Sequence, residues 1–269
     1  MAITEKDKAV MMDLVKRDSF LVLGSRITKH PFIVWDKDGG EDQIYAFTSE
    51  EKFKEKEKEY RQDQYAMLGI KVEQKSMKQF FIDLYSYGVS QIVVVSDEEE
   101  YPVKMENVIP KPDFSRLPEK QQPLLNPSLQ ISVLYFLQEF TRDIPMEEKT
   151  TLRDLEEEMA VNIARAKYLL PVRLTKEMPK DWDGKLEDGS FDIPYLANKE
   201  GEFFLPIFGD VVEFNKFNIQ NNMQATIVPV EQIQKMLVGK CQGAVLNPAS
   251  MGFRLMPKTL ENILKKAQG

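Results

Sequence analysis

The chain is poor in the side chains that most enzyme chemistry requires. Its 269 residues include one cysteine and one histidine. A single cysteine excludes a disulfide framework within the chain. Cys241 stands in an apolar run, and free cysteine is among the most buried residue types, so a small buried hydrophobe is its expected role. His30 is followed by Pro31 in a loop-like stretch, where an exposed loop residue is expected. One histidine excludes a histidine-rich metal site, and any Ser–His or Cys–His pair depends on that ring. His30 and Cys241 lie in different halves of the chain. Neither the G-x-G-x-x-G nor the G-x-x-x-x-G-K-[ST] phosphate-binding pattern occurs. No cofactor and no metal is expected.

Basic patches and long apolar runs are missing too. Net charge is -7 and no long basic stretch is present, so neither a nucleic acid nor an anionic membrane is an expected partner. No window reaches the apolar length of a membrane span. The N-terminal MAITEKDKAVMMDLVKRD has charges throughout and lacks the apolar core of a signal peptide. A reducing cytoplasm is the expected compartment.

What is present is enough apolar material, 42%, for a sizeable core in one large or two medium domains. Residues 4–17 read as an amphipathic helix and SFLVLGSRI as a strand. DKDGGED is turn chemistry between two strand-like runs, a hairpin. Ser49 is placed to cap a charged helix reaching Tyr65, with Glu50–Lys54 and Glu57–Arg61 at i,i+4 and Phe53 and Tyr60 as its apolar line. GIKVEQ is a strand. Ser76 precedes a helix with Met77, Phe80, Phe81 and Leu84 in a stripe, ended by Gly88. SQIVVVSD, apolar throughout, suits the centre of a sheet.

Residues 110–126 contain four prolines and no periodicity, a linker. Asn126 and Pro127 open a helix with Ile131, Leu134, Leu137 and Phe140 on its apolar face. A second helix covers 151–167. The strand YLLPVRL, a polar turn-rich segment, a hairpin turning at NKEG, and then helix VVEFNKF, strand ATIVPV, helix EQIQKMLV and strand GAVLNP follow. MGFRLMP reads as an edge strand, and Thr259 opens a last helix.

The two halves repeat one order: helix, strand, hairpin, helix, strand, helix, strand. Pattern matching puts Leu14 on Ile163, Phe20-Leu21 on Leu169-Leu170, residues 44–49 on 205–210, and 93–97 on 244–248. A duplicated α+β unit is therefore expected.

Chemistry-bearing patterns are few. The acidic run Asp181, Asp183, Glu187, Asp188 does not meet calcium-loop spacing and reads as a solvated turn. Asn247-Pro248 closes a buried-type strand, and Asn before Pro is turn chemistry. Strand ends also host ligand contacts in α/β sheets, and Asp210 ends another strand. Asp210, Asn247 and Pro248 are the candidate binding residues; no catalytic residue is assigned.

At LLPV (169–172), Leu205-Pro206-Ile207-Phe208 with Asp210, Val228-Pro229-Val230 and Leu246-Asn247-Pro248, the second half resembles the SseB protein N-terminal domain family, over roughly residues 155–265. The first half keeps Ala46 and Phe47 but lacks the proline, and Ser96-Asp97 stands where Asn-Pro would be. It reads as a diverged copy. The resemblance implies a bacterial, cytoplasmic α+β domain, in a family labelled with type III secretion or serine sensitivity, with no established catalytic residues. The expected architecture is two repeated SseB-like domains, each a mixed β-sheet packed with helices: 1–110, a linker and helix at 111–150, and 151–269. The expected function is non-catalytic binding of a protein or small molecule. The alternative is an enzyme using carboxylates near Asn247.

Overall fold

The computed structural model describes residues 3–118, 121–175, 191–237 and 239–268. The chain divides into two compact units, Met1–Glu119 with Gln130–Glu156, and Lys120–Leu129 with Glu157–Gly269.

The first unit opens with α1 (Glu5–Lys16). The Thr4 hydroxyl accepts from Asp7 N at 3.0 Å and the Asp7 carboxylate accepts from Thr4 N at 3.1 Å. This reciprocal cap satisfies two end donors and fixes where the helix starts. Next come β1 (Ser19–Ser25), β2 (Val34–Asp36), β3 (Glu41–Phe47), α2 (Glu50–Gln62), β4 (Met67–Glu73), α3 (Gln74–Ser86), β5 (Gln91–Val95), β6 (Glu100–Lys104) and α4 (Met105–Val108). Ser49 caps α2, and both expected i,i+4 ion pairs form. The sheet order is β4-β1-β3-β5-β6, with β2 paired to β3. All pairs are antiparallel except β3 with β5. β5 is buried along its whole length between β3 and β6, as its apolar run implied.

Two helices follow, α5 (Pro127–Phe140) and α6 (Leu152–Arg165). Most of α5 belongs to the first unit. The Gln138 side chain there accepts from Ile33 N at 3.0 Å and donates to Ile33 O at 2.9 Å.

The second unit holds β7 (Lys167–Leu174), β8 (Phe191–Asp192), β9 (Leu196–Ala197), β10 (Phe203–Ile207), α7 (Val211–Phe217), β11 (Gln224–Pro229), α8 (Val230–Met236), β12 (Cys241–Leu246), β13 (Phe253–Leu255) and α9 (Pro257–Gln268). β11 and β10 flank β7; the β7–β10 link is a two-bond bridge between Leu169 and Phe208. The path is therefore β11-β7-β10-β12-β13, with β9 paired to β10 and β8 paired antiparallel to the end of β7 at Arg173 and Leu174. β10 and β12 are parallel and the other pairs antiparallel. Along this path, strand order and pairing sense match those of the first unit.

One packing detail recurs as well. Phe47 meets Phe53 edge-on at 5.5 Å, with Ser49 capping the helix between them. Phe208 meets Phe214 edge-on at 5.5 Å, with Asp210 as the cap. Such offset ring pairs add to plain area burial. The pairing also corrects the sequence alignment. Leu21 faces Phe47, and Leu169 faces Phe208, so Leu21 corresponds to Leu169 rather than Leu170. A strand buried on both faces has no alternation to fix register to a single residue.

Other expectations shift. His30 is buried, 1% exposed, with Nδ1 2.7 Å from Thr28 O and its ring edge-on to Tyr87. The turn after β1 folds back, bridging Gly24 to Pro31, and carries the ring inward. Cys241 is half-buried because it is the first residue of β12. α3 starts before Ser76, and α9 starts at Pro257, whose fixed φ suits a first helical position. Phe140 is exposed at the end of α5. β6 and α4 fall in a stretch without a periodic signal; Pro102 is tolerated in β6 because that strand is an edge. The acidic run at 181–188 lies outside the described residues.

Candidate functional site

The parallel strands β10 and β12 end together, at Ile207 and Leu246. Asn247 follows in a left-handed conformation, φ 52°, which asparagine tolerates better than most residues. Its backbone N–H donates to Ile207 O at 2.9 Å, and its carbonyl accepts from Ser250 N and Gly252 N, both at 3.0 Å. That rotation takes the carbonyl away from the neighbouring strand. The Asn247 side chain replaces it, with Oδ1 accepting from Gly209 N at 2.9 Å. At the corresponding place in the first unit, Thr48 N donates to the Val95 carbonyl at 2.9 Å, so Val95, and not Ser96 as the sequence pattern had it, stands where Asn247 does. Asn247 thus substitutes a side-chain acceptor for a backbone one.

Asp210 caps α7, accepting from Glu213 N at 2.8 Å. Glu213 turns inward. It accepts from the Ser250 hydroxyl and from Lys216 Nζ, the latter at 2.6 Å. Asp210, Glu213 and Asn247 are each 0% exposed. The structure therefore brings Asp210 and Asn247 to one strand end, but both carry interior hydrogen bonds. Of the three candidate residues only Pro248 is partly exposed. The sequence reading missed Glu213 and Ser250. The spacing Asp210-Val-Val-Glu213, which fits a capping box, was the available signal for Glu213. Among the described residues, no group of three His, Cys, Asp or Glu side chains is arranged to hold a metal ion.

The equivalent strand end of the first unit is open. A cavity of about 540 Å³ is lined by Thr48, Val94 and residues 96–99 on one side and by Lys6, Ala9, Val10 and Asp13 of α1, with Arg17 just after it, on the other. Its charges are largely neutralised in place. Lys6 donates to Glu99 at 2.7 Å, and Arg17 to Asp13 at 2.9 Å. The hydrogen bond from Lys6 to Glu99 raises the Lys6 pKa above its ordinary value.

The second unit has a different opening. A groove of about 630 Å³ runs between α6 and the pair α8 and α9. Ala160, Val161, Ala164, Ile263 and Leu264 supply apolar walls, and Glu157, Arg165, Glu231 and Lys266 supply charge. Val161 is 46% exposed, whereas Ile263 and Leu264 are nearly covered. In the first unit the corresponding helices α1, α3 and α4 pack against one another.

Residues 150–262 match the SseB protein N-terminal domain family. No curated protein matches the chain. Among solved structures, Anabaena Tic22 (protein transport) aligns over 96% of this chain and 96% of its own at 9% identity, with a TM-score of 0.21. A TM-score this low carries no argument about fold or function. Among the described residues, no helix is long and apolar enough to cross a membrane.

Proposed function

We propose that this chain is a non-catalytic binding protein and that its second unit takes an apolar segment of a protein partner into the groove between α6 and α9. The half-exposed Val161, standing among Ala160, Ala164, Ile263 and Leu264 with a charged rim, carries this reading. An apolar stripe bordered by charge is the usual form of a helix-accepting groove, and exposed apolar surface rimmed by polar groups marks interaction sites. Domain limits of 1–110 and 151–269, with the first unit as a diverged SseB-like copy, belong to the same proposal. The shared strand order and the paired Phe47–Phe53 and Phe208–Phe214 contacts support it. A bacterial cytoplasm is the setting it assumes.

The alternative, an enzyme working through carboxylates beside Asn247, requires Glu213 or Asp210 to meet a substrate. Both are fully buried and bonded to their own unit. The strand end is better suited to holding the fold than to receiving a ligand.

The test is retention of a partner from a native lysate by the full chain, compared with Val161→Glu and Asn247→Ala. The expected result is a specific protein held by the wild type and lost with Val161→Glu, whose circular dichroism is unchanged. A partner retained equally by Val161→Glu refutes the groove. A clear small-molecule thermal shift with no protein retained refutes the interaction reading.

A further inference from the structure

We infer that Pro123-Leu124-Leu125-Asn126 is a strap that lifts from the second unit, and that an extended, leucine-bearing peptide takes its place. Both units bury one edge-on aromatic pair, but under different covers. In the first unit the cover is integral. Phe32 lies in one cluster with Phe47 and Phe53, and its N–H donates to Leu23 O of β1 at 2.8 Å. Tyr60, near the end of the 13-residue α2, meets the Phe32 ring at 4.9 Å. In the second unit α7 stops after 7 residues. Leu124, from the proline-rich linker, packs there on the cluster of Leu169, Phe208 and Phe214, alongside Phe217 and Met223.

The strap is held at few points. No helix or strand runs through it, so lifting it breaks no ladder, and all four residues are half-buried. Pro123 has no N–H to donate. The Leu124 carbonyl accepts from Val211 N at 3.3 Å. Asn126 Nδ2 donates to Lys167 O at 2.8 Å and to Gly209 O at 2.5 Å. Val211 opens α7, so its N–H has no intrahelical partner and turns to water when the strap lifts. A segment with few buried apolar contacts and no ladder opens at a lower free energy than the sheet beneath it.

The seated strap shows what the uncovered surface accepts. The rings of Phe208, Phe214 and Phe217 form an apolar seat, with Phe208 5.5 Å from Phe214 and 5.2 Å from Phe217. Beside it lie one donor, Val211 N–H, and two acceptors, the carbonyls of Lys167 and Gly209. An extended segment of the form Leu-x-Asn makes all of these contacts: leucine on the rings, its carbonyl on Val211, and the amide two residues on across both carbonyls. The strap competes with any such segment from a partner. Apparent affinity then falls in proportion to the fraction of molecules whose seat is open, which makes the strap an autoinhibitory contact.

Binding of a fluorescent peptide of residues 121–127, QQPLLNP, to the full chain tests this. Leu124→Ser in the chain weakens the strap, and this variant is expected to bind the peptide at least about tenfold more tightly than wild type does. A peptide with the same substitution is expected not to bind. Equal affinity for the two chains, or no binding to the variant up to about 1 mM, overturns the inference. Hydrogen exchange in the wild type decides the matter without a variant. The Val211 amide is expected to exchange at least about a hundredfold faster than the Phe208 amide, which donates to Leu169 O at 3.0 Å and reports opening of the sheet. Equally slow exchange at both overturns the inference. Val161→Glu is expected to change neither result, so the outcome is independent of whether the α6–α9 groove holds a partner.

Discussion

Replacing Asn247 by alanine separates a structural from a binding role at the strand end. The substitution removes the acceptor for Gly209 N, at 2.9 Å in a fully buried site. A buried donor left without its partner costs about 1–3 kcal/mol. Alanine must also adopt φ 52°, which costs about 1–2 kcal/mol for a residue with a Cβ and no side-chain compensation. The sum is about 2–5 kcal/mol, a large part of the roughly 5–15 kcal/mol that holds a domain together. Asn247→Gly restores the backbone freedom but not the acceptor, so it is expected to fall between wild type and alanine. Urea titration measures this: the midpoint falls in the order Asn, Gly, Ala, with the slope unchanged. If alanine stays within about 0.5 kcal/mol of wild type, surface-like behaviour for a mutation, the acceptor argument is wrong. If partner retention is lost at unchanged stability, Asn247 is a binding residue.

Further outcomes follow from the same structure. Phe47→Ala and Phe208→Ala remove equivalent, nearly or fully buried rings, and each is expected to destabilise its own unit by about 3–5 kcal/mol in calorimetry; a large effect at one and none at the other contradicts the structural equivalence. Gly243→Ala places a Cβ 2.8 Å from the Leu255 backbone oxygen, so the β12–β13 pairing must shift, at about 1–3 kcal/mol by denaturant titration. Lys104 donates to Glu41 at 2.6 Å, and this bond first, with one involving Ser90, holds the Glu41 carboxyl below its ordinary range. A depressed carboxyl contributes stability that is complete above its unfolded value, about 4.3, and is lost as pH falls through the lower folded value. The same bond raises Lys104, whose contribution is complete below about 10.4 and is lost as pH rises through its folded value. Glu41→Gln is expected to flatten the acid limb of a stability–pH curve; an unchanged limb contradicts the assignment.

Much of the architecture is legible in the sequence, because local and global signals agree there. Ser49 caps a helix as its position implies, and the apolar run of β5 is central. Register is less legible. β1 and β7 lack a clean two-residue alternation, so the pattern match slipped by one residue until the Leu21–Phe47 and Leu169–Phe208 pairs fixed it. Asn247 was singled out correctly as the end of a strand. Its part in replacing a backbone acceptor depends on Gly209, 38 positions away, which no local spacing encodes. His30 was misplaced for a similar reason: a loop is read as exposed unless the bridge that folds it inward is known. The α6–α9 groove is not legible, because an amphipathic stripe shows that a helix face packs, not how closely its neighbour approaches.

The most direct test of the binding reading is site-specific photo-cross-linking from position 161 of the full chain in native lysate. Exposed Lys240, in the same unit, serves as the control position. One discrete protein adduct is expected from position 161 and none in common from position 240. No adduct from position 161, or the same adducts from both positions, contradicts it.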